Sequence, residues 1–105
     1  MDAFTALADP TRRRIVELLG RRERSAGELV EEFDVSAPAI SQHLKALREA
    51  GLVTVRADAQ RRIYTLDPAG LAAIDAWLAA VRKFWVPRLD ALERELRKPA
   101  KRSKR

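Results

Sequence analysis

The chain has 105 residues, 47% of them apolar, which is enough for one domain with a thin core. A unit this small leaves much of its surface uncovered, and association with a second copy is a common remedy. There is no cysteine, which excludes disulfides, thiolate metal ligands and cysteine nucleophiles together.

A formal charge of +6 points to an anionic partner, and the distribution of that charge gives it an address. Arg97, Lys98, Lys101, Arg102, Lys104 and Arg105 cluster at the C-terminus without an acid among them, and the remaining 15 cations balance 15 acids. Within that neutral body the charges are segregated. Residues 23–34 carry Glu23, Glu28, Glu31, Glu32 and Asp34 against Arg24 alone, whereas residues 36–66 carry Lys45, Arg48, Arg56, Arg61 and Arg62 against Glu49 and Asp58. Residues 1–8 lack the basic-then-apolar pattern of a signal peptide. No apolar run approaches the roughly 20 residues that span a bilayer, so a cytoplasmic protein without a membrane partner is expected.

The first helix is expected to start at Asp9 as N-cap with Pro10 behind it, where the missing N–H costs nothing. Ile15, Leu18 and Leu19 recur at helical spacing, and Gly20 suits a left-handed stop. Ser25 and Glu28 fit a capping box, followed by Leu29, Val30 and Phe33 on one face. Only Asp34 and Val35 separate Phe33 from Ser36, which caps a third helix with Pro38 in its first turn and Gly51 at its end. Ile40, Leu44 and Leu47 line one side of that helix.

Beyond Gly51 the pattern becomes β-branched. LVTVRA and RRIYTL, separated by Asp58-Ala59-Gln60, predict a β-hairpin. Asp67-Pro68 starts a last helix to about Lys98, whose apolar positions Leu71, Ile74, Leu78, Val81, Trp85, Leu89, Leu92 and Leu96 step by three and four. Pro87 is expected to kink or break it. Pro99 is expected to stop it, and the basic string that follows has too little apolar surface to order itself.

Two helices joined by so short a turn, with inward apolar faces, form a helix-turn-helix, and a hairpin behind them supplies a wing. The expected fold is therefore mainly α with a small β-hairpin: a winged helix-turn-helix in residues 1–98, the terminal helices forming a dimer interface, and a disordered basic tail in residues 99–105. The second helix of such a pair fits the major groove of duplex DNA. With Ile40, Leu44 and Leu47 facing inward, Ser36, Ala37, Pro38, Ser41, Gln42 and Lys45 are the candidate DNA contacts, beside Arg48. Gln42 can read adenine with two hydrogen bonds, Ser41 can bond a base edge or phosphate, and Lys45 suits phosphate. On the hairpin Arg56, Gln60, Arg61 and Arg62 can grip the backbone, or equally can blunt an exposed strand edge. His43, the single histidine, lies at the border of the apolar stripe and is expected to be packed against nearby backbone. Arg12, Arg13 and Arg14 cannot all face one way, and the acids at 28, 31 and 32 read as a solvated face.

Trp77, Phe84 and Trp85 need cover, from the chain's own core or from another subunit. Phe4, Leu7, Leu71, Ile74, Leu78, Val81, Trp85, Leu89 and Leu92 are the candidate dimer residues. The same aromatics could line a pocket for an unidentified small-molecule effector. An enzyme is not expected, since one histidine and no cysteine assemble no nucleophile–base pair, phosphate loop or metal cage; no metal or other cofactor is expected either. The alternative to a DNA-reading regulator is a winged-helix adaptor that binds proteins through its last helix and nucleic acid only non-specifically.

The segments ALADPTRRRIVELL, VSAPAISQHLKALREAGLV and RRIYTLDPAGL, all within residues 4–71, resemble the ArsR-type family of bacterial winged-helix repressors. The resemblance implies DNA read by the helix before the hairpin, dimerisation through terminal helices, and a homodimer on a palindromic operator that commonly controls its own operon. Metal-sensing members carry cysteines in the helix before the turn, or aspartate and histidine on the terminal helix. Here those regions read GELVEEFDVS and IDAWLAAVRK, which implies a branch that does not sense metal. The family's wing tip often has Gly-Arg where this chain has Ala59-Gln60.

Overall fold

A computed structural model of the protein describes residues 1–98. The elements in chain order are α1 (Ala3–Ala6), α2 (Pro10–Arg21), β1 (Arg24–Ser25), α3 (Ala26–Glu31), α4 (Ala37–Glu49), β2 (Val53–Asp58), β3 (Arg61–Leu66) and α5 (Pro68–Arg97). They form two compact units, residues 1–74 and a second unit beginning at Asp75. The expected tail of residues 99–105 lies outside the described residues.

Local signals set the helix starts. The Asp9 carboxylate accepts from the N–H groups of Thr11 and Arg12, with Pro10 behind it. Partial burial pushes that carboxyl up, but the backbone donors of Arg12 and Thr11 outweigh it and leave its pKa below the ordinary value. At α3 both halves of the capping box form: Ser25 Oγ accepts from Glu28 N–H, and Glu28 accepts from Ser25 N–H at 2.8 Å. Glu28 is therefore structural, and not merely part of a solvated acidic face. Ser36 caps α4 by accepting from Ala39 N–H, and Gly51 follows its C-cap at φ 78°, where a side chain would be strained. Asp67 accepts from Ala69 N–H at the start of α5.

In the first unit the three helix faces converge. Ile15, Leu18 and Leu19 from α2, Leu29 from α3, and Ile40, Leu44 and Leu47 from α4 are buried together with Leu52, Val53 and Tyr64. Ala3 and Ala6 of α1 join them, a short helix for which the sequence carries no periodic signal.

The sheet differs from the expected hairpin by a strand. Its order is β1-β3-β2, all antiparallel, with Arg24 opposite Tyr64 and Ser25 opposite Ile63 on one edge and Val53–Asp58 opposite Leu66–Arg61 on the other. The two-residue β1 also explains why Gly20 is not the helix stop. α2 continues to Arg21, and the extended Arg22 leads the chain into pairing with β3. The turn at the other end is Ala59-Gln60, since Asp58 already pairs with Arg61; Ala59 has φ 57°.

α5 runs unbroken through Pro87, so the expected break does not occur. Proline deprives the Lys83 carbonyl of its helical donor, but Lys83 and its neighbours on α5 are exposed and water can satisfy that carbonyl. Where α5 begins, Gly70 lies so close to the carbonyl of Gly51 that a Cβ would overlap it. Gly70→Ala should therefore destabilise the protein by about 1–3 kcal/mol, measured by urea unfolding; an unchanged midpoint would contradict the close approach.

Candidate nucleic-acid interface

The core fixes the orientation of α4. With Ile40, Leu44 and Leu47 buried, Ser36, Ala37, Pro38, Ser41, Gln42, Lys45 and Arg48 are all exposed. The structure thus brings every candidate on this helix to its outer surface. Ser36 is partly committed, since its Oγ caps the helix. Gln42, Lys45 and Arg48 make no hydrogen bond or ion pair among the described residues, leaving their polar ends available to a ligand.

His43 is half-buried, and its partner differs from the expected one. Its Nδ1 lies 3.5 Å from the Arg12 guanidinium, which also donates through Nε to the Ala6 carbonyl at 2.6 Å. Arginine can only donate, so Nδ1 accepts. One side chain of the arginine triplet thereby ties the end of α1 and α2 to the back of the candidate reading helix. Arg14 meets Glu17 at 3.4 Å, and Arg13 is exposed.

The wing candidates separate into two groups. Gln60, Arg61 and Arg62 are exposed at the β2–β3 tip and make no hydrogen bond or ion pair among the described residues. Together with Ser25, Ala26 and Gly27 they line an open cavity of about 430 Å3. Arg56 lies further down β2, opposite Ile63, and is already engaged: its two terminal nitrogens donate to the two Glu23 oxygens at 3.0 and 2.6 Å. Glu23 precedes β1 and Arg56 lies on β2, so this fork-to-fork pair spans the central strand and ties both sheet edges. On the next residue, Arg24 is buried with its Nε unpaired and reaches Glu32 at 3.8 Å. Glu32 is accordingly a partner to that cation, not only a solvated acid.

The candidate dimer residues also divide. Leu7, Leu71 and Ile74 are partly buried against the core of the first unit. Phe4, Leu78, Trp85, Leu89 and Leu92 are exposed, and Val81 is intermediate. In the second unit Phe84 and Trp85 meet edge to face at 5.1 Å, with the Arg88 guanidinium 4.4 Å from the Phe84 ring centre. Trp77, Phe84 and Trp85 are each at least half exposed, so they are not the chain's own core.

No helix among the described residues is long and apolar enough to cross a membrane. Among them, no cluster of three or more histidine, aspartate or glutamate side chains could hold a metal.

Comparison with known proteins bears on this geometry. A family model described as "Bacterial regulatory protein, arsR family" matches residues 9–55, which contain α2, α3, α4 and the start of β2. The HTH-type transcriptional regulator Rv2034 of Mycobacterium tuberculosis is 51% identical over 83 residues, covering 79% of this chain and 75% of that protein. The chain belongs to the ArsR family. Transcriptional repressor SdpR of Bacillus subtilis is 35% identical, over 73% of this chain and 86% of that one. Among solved structures, a possible transcriptional regulator for arsenical resistance is similar at a TM-score of 0.73 and 45% identity, covering 90% of this chain and 96% of the other. The homodimeric winged helix-turn-helix domain Mb0332 of Mycobacterium bovis is similar at a TM-score of 0.62 and 28% identity, over 75% and 73%. This ArsR-family protein is thus a winged helix-turn-helix, DNA-binding transcriptional regulator and not an enzyme.

The Glu23–Arg56 pair has a measurable signature. Its hydrogen bond from Arg56 holds the Glu23 carboxyl below the ordinary carboxylate range. A depressed folded-state pKa stabilises above the unfolded value, and that contribution disappears as pH falls through the folded one. Carboxyl NMR should show Glu23 titrating below the ordinary glutamate value, and Arg56→Gln should return it to that value. A Glu23 midpoint at the ordinary value in the unaltered protein would contradict the pair.

Proposed function

We propose that this ArsR-family protein is a homodimeric repressor that occupies a palindromic operator, controls its own operon and acts in the cytoplasm.

 The observation that carries this reading is the outer surface of α4: Ser41, Gln42 and Lys45 are exposed together on a helix whose opposite face is locked into the core. In this reading α4 enters the major groove, Gln42 and Ser41 read base edges, and Lys45 meets phosphate. Ala37 and Pro38 approach the groove at the helix start, with Ser36 capping it. Gln60, Arg61 and Arg62 add backbone contacts from the wing, whereas Arg56 serves mainly to hold the wing through Glu23. Residues 1–98 act as the DNA-binding and dimerisation domain.

Dimerisation is supported by the exposed apolar residues Leu78, Trp85, Leu89 and Leu92 at helical spacing on α5, and by the homodimeric state named for the Mycobacterium bovis neighbour. Two copies would present α4 to successive major grooves about 34 Å apart. Phe4, Leu7, Leu71, Ile74 and Val81 are the other residues assigned to the interface in this reading. The absence of cysteine and the single histidine favour a regulator that does not sense metal through thiolates, although one similar structure is described for arsenical resistance.

Two measurements test these assignments. In selection from randomised duplexes, Gln42→Ala should relax preference at one position by about 1–3 kcal/mol, while Arg61→Ala should weaken all sequences alike. An unchanged preference profile for Gln42→Ala would remove the base-reading role. In sedimentation, Leu89→Asp should shift the dimer towards monomer while the first unit stays folded. A variant that remains fully dimeric would place the interface elsewhere.

A further inference from the structure

The flank of α4 that faces β2 borders an open groove of about 490 Å3, lined by Lys45, Arg48 and Glu49 from the helix and Val53, Thr54 and Val55 from the strand. Ser41, Lys45 and Arg48 stand at positions i, i+4 and i+7, so they form one stripe of hydrogen-bond donors along about 10 Å of helix. Glu49 stands one helical turn from Lys45, yet no ion pair forms between them. Lys45 and Arg48 therefore keep their charge for something outside the chain. Across the groove, Thr54 Oγ1 lies 3.4 Å from Thr65 Oγ1. If Thr65 donates to it, the Thr54 hydroxyl can donate its own proton into the groove.

We infer that this groove seats one strand of the duplex backbone, with Lys45, Arg48 and Thr54 holding a phosphodiester beside the bases that Gln42 reads. The inference rests on α4 being the base-reading helix; it adds Thr54 to the residues that bind and assigns Arg48 to phosphate. A helix about 10–12 Å across fills a major groove about 12 Å wide, so its flanks lie against the two phosphate strands. The flank towards β2 is the one that carries two unneutralised cations and a hydroxyl. Valines form the apolar part of the lining, and Glu49 repels phosphate at one end, which restricts the strand to the Lys45–Arg48–Thr54 stretch.

The test uses the full chain and a labelled duplex from upstream of its own gene, with affinity measured across a potassium chloride series. Arg48→Gln should flatten the slope of log affinity against log salt by about 0.9, the loss of one phosphate contact, and Arg48→Lys should restore it. Thr54→Val should weaken binding by about tenfold with the slope unchanged, because a hydroxyl carries no charge. Thermal melting of each variant separates a contact from a folding defect. An Arg48→Gln chain that keeps the full slope overturns the inference, whether or not its melting point falls. If Gln42→Ala loses base preference while Arg48→Gln keeps the full slope, the groove assignment alone fails. Unaltered protein that does not distinguish the upstream duplex from a scrambled one removes both readings.

Discussion

Ile40, Leu44 and Leu47 occupy spacings that a single rotation of α4 can bury, and each is at most 1% exposed. Turning the helix to bury Ser41 or Gln42 instead would expose these three apolar side chains and bring unpaired polar groups inside, at a cost of several kcal/mol. The outward direction of Ala37, Ser41, Gln42, Lys45 and Arg48 is thus a consequence of core packing. Ser36 and Gly51 fix where the helix starts and ends, and Arg12 braces its back through His43. A surface that must match the edges of base pairs benefits from such a support, because side chains held on a packed helix lose little freedom when they bind.

The wing is positioned by a different force. Its tip has only polar and small side chains, and its sheet gains a third strand of two residues. The Glu23–Arg56 fork pair bridges the two edge strands. Exposed ion pairs contribute little stability, so the value of this one is geometric: it holds one edge of the sheet to the other while Arg61 and Arg62 remain unpaired at the tip. Three of the five acids in residues 23–34 are spent in this way on internal partners. Glu23 holds Arg56, Glu28 closes the capping box and Glu32 meets Arg24, while Lys45, Arg48, Arg61 and Arg62 remain exposed on the surface proposed to meet DNA.

Much of the fold was legible because its signals are local. Asp9-Pro10, Ser25 with Glu28, and Ser36 each mark a helix start within a few residues, and the change of period after Gly51 marks the strands. What was not legible depends on partners far apart in sequence. Arg12 and His43 are 31 positions apart, and Arg56 and Glu23 are 33; neither pairing leaves a trace in spacing. β1 is too short to show alternation, so Gly20 read as a stop where the chain in fact continues to Arg21 before turning extended. Ala59 adopts a positive φ that its residue type does not advertise. Pro87 misled in the opposite direction, because an exposed helix can lose one internal hydrogen bond to water without ending. The exposed face of α4 is legible because its buried stripe is regular; Arg56 groups with the wing candidates because a hairpin read without its third strand gives that arginine no other partner.

The most direct test of the central claim is fluorescence anisotropy of the full chain with two labelled duplexes, one from upstream of its own gene and one of scrambled sequence, across a salt series. The account predicts tight binding to the first alone, two chains per site, and a steep fall in affinity with salt. Equal, weak binding to both duplexes would contradict it, leaving a basic winged helix without the sequence reading proposed for α4.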